Sequence, residues 1–184
     1  MNKQMKYIVL GLMIACGLSN ATAQSTLKTS AQEVNTPALV QQREALKKDI
    51  VRQYLALKQN LIVSDSLQAA KSAGDLAATL TRFKFKKLTL QEMNAATTMR
   101  TKLADLAKAI AGTTNINVQR KAMMELSEGM WTIMDKIVPE KTVLYQQTCP
   151  MAGKVWISDS KEIKNPYFPK NMLTCGAVTA SIGE

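Results

Sequence analysis

Four sulfur-bearing residues near the C-terminus carry the most legible chemistry of this chain. Cys149-Pro150-Met151 is a C-x-M pair, and Met172-Leu173-Thr174-Cys175 is an M-x-x-C pair. In an extended strand residues i and i+2 point to one side, and in a helical turn residues i and i+3 share a face. Each pair can therefore aim two sulfurs at one point. Brought together, Cys149, Met151, Met172 and Cys175 would make a four-sulfur donor set. Two thiolates and two thioethers without nitrogen suit a soft monovalent ion, Cu(I) or Ag(I), better than Mg, Ca or Mn. Zinc would call for more thiolate or a histidine. The same two cysteines support a second reading. In an exported chain a pair with 25 residues between them is oxidised to a bridge by default, and closing that loop contributes roughly 3 kcal/mol. A bridged pair cannot supply thiolates, so the two readings exclude each other in any one redox state.

The rest of the composition removes alternatives. The chain of 184 residues contains no histidine, which excludes a Ser-His-Asp or Cys-His nucleophile, a histidine zinc site and histidine-held haem. A cysteine nucleophile would have only Lys154 nearby to lower its pKa, so a non-enzymatic protein is expected. Apolar residues make up 46%, charged residues 21% and aromatic residues 5%. These proportions describe one globular domain whose helices pack through aliphatic side chains.

The elements that must position the sulfurs follow from periodicity. Leu46, Ile50, Tyr54, Leu57 and Leu61 fall on one face of a helix from about Pro37 to Ile62. Ser64 and Asp65 cap a second helix with the stripe Ala69, Ala73, Leu76, Leu80 and Phe83. Thr89 and Glu92 have capping-box spacing and open a third helix bearing Ala96, Met99, Leu103, Leu106 and Ile110, which Gly112 stops. A fourth, from about Asn117, carries Ala122, Leu126, Met130, Ile133 and Ile137 and ends before Pro139. Short connections then predict a mainly α fold: an antiparallel up-and-down four-helix bundle over 38–138. Met93, Met99, Met123, Met124, Met130 and Met134 sit at helical spacing and read as core filler. Residues 139–184 form an irregular, short-strand Cys-Met tail, with β-like runs at 142–145 and 154–157. Trp156, Tyr145, Tyr167 and Phe168 are expected to bury this tail on the helices, and Asn165-Pro166 to turn the chain.

The N-terminus supplies an address. Lys3 and Lys6, an apolar run at 7–17 and Ala21-Thr22-Ala23 have the pattern of an export signal over residues 1–23. A periplasmic or secreted protein is expected, with 24–37 as a flexible leader and 38–184 as a single domain. A second reading makes Met13-Ile14-Ala15-Cys16-Gly17 a lipoprotein box, which would tether the domain to a membrane through Cys16. Losing residues 1–23 removes two lysines and no acid, so the net charge falls from +10 to +8. In an exported chain that charge suits solubility or anionic envelope surfaces, and no nucleic-acid partner is expected. The densest basic run, Arg82, Lys84, Lys86 and Lys87 interleaved with Phe83 and Phe85, reads as a solvated loop, with an anion- or lipid-binding surface as the alternative.

The tail also carries a resemblance. Tyr145, Cys149-Pro150-Met151, Trp156-x-Ser158, Ile163-x-Asn165-Pro166-Tyr167-Phe168 and Met172-Leu173-x-Cys175-Gly176 resemble, in that order, the signature of the exported bacterial domain-of-unknown-function (DUF) family 3347. Related Cys-Pro-Met and Met-x-x-Cys-Gly segments occur in periplasmic adaptors of copper and silver efflux pumps. The helical half, through Tyr54-Leu55-Ala56-Leu57-Lys58, Ser64-Asp65, Gln119-Arg120 and Leu126-Ser127, is similar as well, extending the likeness to about 45–182. The resemblance implies a heavy-metal association in the cell envelope, with copper as the expected metal and Cys149, Met151, Met172 and Cys175 as the sulfur positions. It implies metal-efflux or other envelope proteins as partners. The competing expectation is a disulfide-stapled, non-enzymatic interaction module of the envelope.

Overall fold

A computed structural model describes residues 36–183. The export signal, the lipoprotein box at Cys16 and most of the leader fall outside the described residues.

Helix α1 (Pro37–Ile62) begins where Thr36 accepts a hydrogen bond from the Leu39 amide and Pro37 presets the first turn. Its apolar stripe buries Ile50, Tyr54, Leu57 and Leu61. Ser64 then takes a left-handed backbone, φ 60°, and Asp65 caps α2 (Ser66–Arg82) through the Gln68 amide. The Thr89–Glu92 capping box is complete at the start of α3 (Leu90–Ala111), which Gly112 ends. Asn115 caps α4 (Ile116–Thr132) by accepting from the Asn117 and Val118 amides.

The fourth helix is shorter than its periodicity suggests. It stops at Thr132, Ile133 turns out of helical geometry with φ −117° and ψ 7°, and a single turn, α5 (Met134–Ile137), follows. The stripe continues across this break because Ile133 and Ile137 are both buried, so the apolar spacing carried no sign of it. Sequential helices pack on one another, α1 on α2, α2 on α3 and α3 on α4. The six methionines at helical spacing lie in this core or against it.

The tail is a three-stranded antiparallel sheet in the order β2-β1-β3, with β1 (Leu144–Cys149), β2 (Lys154–Ser158) and β3 (Ala177–Ile182). The first two strands were expected, though β1 starts later and runs further than its β-like run. The third was not, although Val178 to Ile182 alternates apolar and polar residues; its small side chains and large exposure make that signal weak. The protein is thus mainly helical with a small sheet. No described helix is long and apolar enough to cross a membrane.

A chain of hydroxyl groups fixes the sheet on the helices. The Ile157 amide of β2 donates to Tyr54 Oη of α1 at 3.1 Å, and Tyr54 Oη lies 2.7 Å from Ser127 Oγ of α4. Tyr167 Oη donates to the Val155 carbonyl at 2.5 Å and lies 3.0 Å from the same serine. A phenol has one proton, so with Tyr167's committed to Val155, the serine proton completes the last link.

Candidate functional site

Strand register brings the two cysteines together. Cys149 is the last residue of β1 and pairs with Lys154 across a four-residue turn, while Thr148 pairs with Ala177 of β3. Cys175, two residues before Ala177, is thereby carried to the end of β1. The sulfurs lie 3.2 Å apart and both residues are free thiols. Cys149 is fully buried and Cys175 half-buried.

Gly176 makes this approach feasible. A Cβ there would meet the Trp156 ring at 2.8 Å, Ile163 at 3.1 Å and the Thr148 carbonyl at 3.2 Å. Trp156 therefore lies over bare backbone beside Cys175. Its own indole N–H donates to Gln147 Oε1 at 2.6 Å, and the Gln147 amide nitrogen donates to the Ser160 and Glu162 carbonyls. Tyr167 meets Trp156 edge to face, with centroids 6.0 Å apart. The expectation that these aromatics bury the tail holds for both.

The electrostatics of the pair are asymmetric. Burial opposes ionisation of Cys149. Hydrogen bonds from the Cys175 thiol, the Ala152 and Met151 amides and the Asn165 side chain outweigh it and hold Cys149 below the usual thiol range. Cys175 is pushed up, first by its hydrogen bond to Cys149, then by desolvation and by the charge on Cys149, with the Met151 amide acting against. Of the two, Cys149 is the one favoured as thiolate, with Cys175 as its hydrogen-bond donor.

The methionines sit differently. The C-x-M pair is not an extended strand: the chain turns at Pro150, directly after β1, and Gly153 supplies a left-handed backbone, φ 59°, before β2 starts. Cys149 and Met151 therefore do not share a strand face, and Met151 is 77% exposed. Pro150 and Gly153 were turn signals already present in the sequence. The M-x-x-C pair does close a turn, the Cys175 amide donating to the Met172 carbonyl at 3.1 Å, with Met172 half-buried.

Asn165 is the site residue that sequence reasoning undervalued. It is fully buried, and its side-chain oxygen accepts from the Tyr167 and Phe168 amides in the turn expected of Asn-Pro. Its amide nitrogen faces the Cys175 carbonyl at 3.4 Å as well as the Cys149 sulfur. Arg120 of α4 anchors the same loop, donating to the Pro166 carbonyl at 3.1 Å and the Leu61 carbonyl at 2.8 Å. Lys154 directs its ammonium to Glu128 at 3.5 Å. Among the described residues no group of three or more His, Cys, Asp or Glu side chains is placed to hold a metal, so any ion here would rest on the thiol pair and thioethers.

The molecule is, then, a mainly helical protein whose small antiparallel sheet holds a buried thiol pair. Residues 50–142 match the family described as Protein of unknown function (DUF3347), and the chain belongs to that family. The matched stretch runs from within α1 to just before β1, so both cysteines lie outside it. No curated protein and no solved structure matches the chain.

Proposed function

We propose that this protein is an exported, non-enzymatic carrier of a soft monovalent metal ion, Cu(I) or Ag(I), that sequesters or delivers it in the cell envelope. Cys149 and Cys175 are its principal ligands, Met151 and Met172 complete the donor set, and an up-and-down four-helix bundle is the scaffold. Metal-efflux or other envelope proteins are the partners for exchange. The observation that carries this reading is the 3.2 Å approach of two free thiols, one of them favoured as thiolate. With metal–sulfur bonds of about 2.3 Å, a tetrahedral ion needs its sulfurs about 3.8 Å apart, so a small opening of the pair admits one. Exposed Met151 stands on the turn whose amides face Cys149, free to swing its thioether in. Such donors are soft, and mixed thiolate and thioether ligation permits release to a partner.

An anaerobic Cu(I) competition titration tests the proposal, comparing reduced protein with the Cys149→Ser, Cys175→Ser double variant. One tight equivalent, lost in the variant, is expected. Equal binding by both proteins, or tight binding by neither, sinks the metal reading.

The same proximity favours one other reading, a structural bridge in a protein-interaction module. It predicts that the exported protein, alkylated without reductant, takes up no label at either cysteine.

A further inference from the structure

Beyond Arg82, the last residue of α2, the chain leaves the helix with Phe83 extended, φ −68° and ψ 133°, and turns at Lys87, whose backbone is left-handed with φ 58°. In extended chain alternate residues face opposite ways. Phe83 and Phe85 are turned inward, buried, with rings edge to face at 5.2 Å. Arg82 and Lys84 are exposed and Lys86 is half-buried on the opposite side. The aromatic pair therefore does not dilute the basic run; it pins it down with its cations outward.

Those cations meet α1. A groove of about 230 Å³ is lined by Arg43, Arg82, Lys84 and Lys86, together with Gln42 and the apolar Leu39 and Leu46, and by no acid. Acids do occur in the adjoining cleft, Glu44, Glu92, Asp135 and Glu140, and three of the four are engaged. Glu92 caps α3, Glu44 accepts the Glu140 amide at 2.7 Å, and Asp135 pairs with Lys136 at 2.6 Å. Among the described residues Arg43, Lys84 and Lys87 make no ion pair. Leu39 and Val40 on the first turn of α1 are 36% and 43% exposed beside them. Cations fixed around exposed apolar side chains match the layered chemistry of a bilayer surface, anionic headgroups over acyl chains.

We infer that this end of the molecule docks on an anionic phospholipid surface, with Arg43, Arg82, Lys84 and Lys86 on the headgroups and Leu39 and Val40 against the acyl boundary. The thiol pair is turned away from that surface. Arg120 ties the loop leading to Cys175 to Leu61, at the opposite end of α1 from Arg43.

Vesicle sedimentation tests the inference, using the protein as the cell exports it. Vesicles of phosphatidylcholine alone are compared with vesicles containing about 30% phosphatidylglycerol. Binding is expected only to the anionic vesicles, and raising the salt should release it. The variant Arg43→Gln, Arg82→Gln, Lys84→Gln should bind about a hundredfold more weakly with an unchanged thermal midpoint. Should that variant unfold, Lys84→Glu alone, at an exposed position, is expected to weaken binding severalfold. Equal binding to both vesicle types, or equal binding by wild type and variants, overturns the inference. So does calorimetric binding of inorganic phosphate without vesicle binding, which would make the groove a small-anion site.

Discussion

Asn165 touches both halves of the thiol pair, and this sets what a single substitution there does. Asn165→Asp keeps an oxygen for the Tyr167 and Phe168 amides but removes the N–H donor to Cys149 and brings a negative charge beside a thiolate. Both changes disfavour ionisation, so the Cys149 midpoint, read from thiolate absorbance in the ultraviolet, should move upward while the fold persists. An unmoved or lowered midpoint would show that the asparagine does not set the thiol. The thiols themselves were legible as a pair from their residue type and their setting in the tail. The role of Asn165 was not, because an amide reaching a sulfur 16 positions away leaves no period in the sequence. The expected strand geometry at Met151 failed for a local reason: extended chain was assumed through Pro150, where β1 ends.

The helices were legible for reasons that operate within each element. Stripes at spacings of three and four placed α1, α2 and α3 almost to the residue, and polar caps marked where α2 and α3 began. The box at α3 offers a direct check on how much such a cap contributes. The Thr89 hydroxyl accepts from the Glu92 amide at 3.3 Å, while Glu92 Oε2 accepts from the Thr89 amide at 2.9 Å. Thr89→Ala should lower stability by about 1 kcal/mol in urea unfolding. The double variant with Glu92→Ala should cost less than the sum of the two single changes, since the Thr89 hydroxyl also donates to Glu92 Oε2 at 2.8 Å. Strict additivity would mean that this side-chain bond contributes nothing. Where sequence reading failed, tertiary contacts had replaced local signals. The break at Ile133 preserves the buried stripe, and β3 is a largely exposed strand of small residues held by its pairing with β1.

Across the whole molecule, the hydroxyl chain through Tyr54, Ser127 and Tyr167 joins α1, α4, β2 and the loop before Cys175, so stability should respond to ionisation of its phenols. Burial pushes Tyr54 up to about 12, with the Ser127 and Ile157 hydrogen bonds acting against it. Burial, and then proximity to Tyr54, raises Tyr167 as well. A group whose folded pKa lies above the unfolded value near 10 contributes stability that is complete below pH 10. That contribution is lost as pH rises from there toward the folded value, because the unfolded chain releases the proton first. Each such phenol adds about 1.4 kcal/mol per pH unit to the decline. Lys58 acts in the opposite sense. Burial lowers its pKa, partly offset by Asp159, so its cost to the fold fades as pH rises. It is present in any Tyr54 variant and cancels from the comparison. Tyr54→Phe should cost about 1–3 kcal/mol at pH 8, where the Ile157 amide loses its acceptor. Between pH 10 and 11 its urea-derived stability should then fall less steeply than that of wild type by about 1 kcal/mol. Parallel curves would mean that Tyr54 ionises as readily in the folded protein as in the unfolded chain, and that its phenol is not the buried link between sheet and helices.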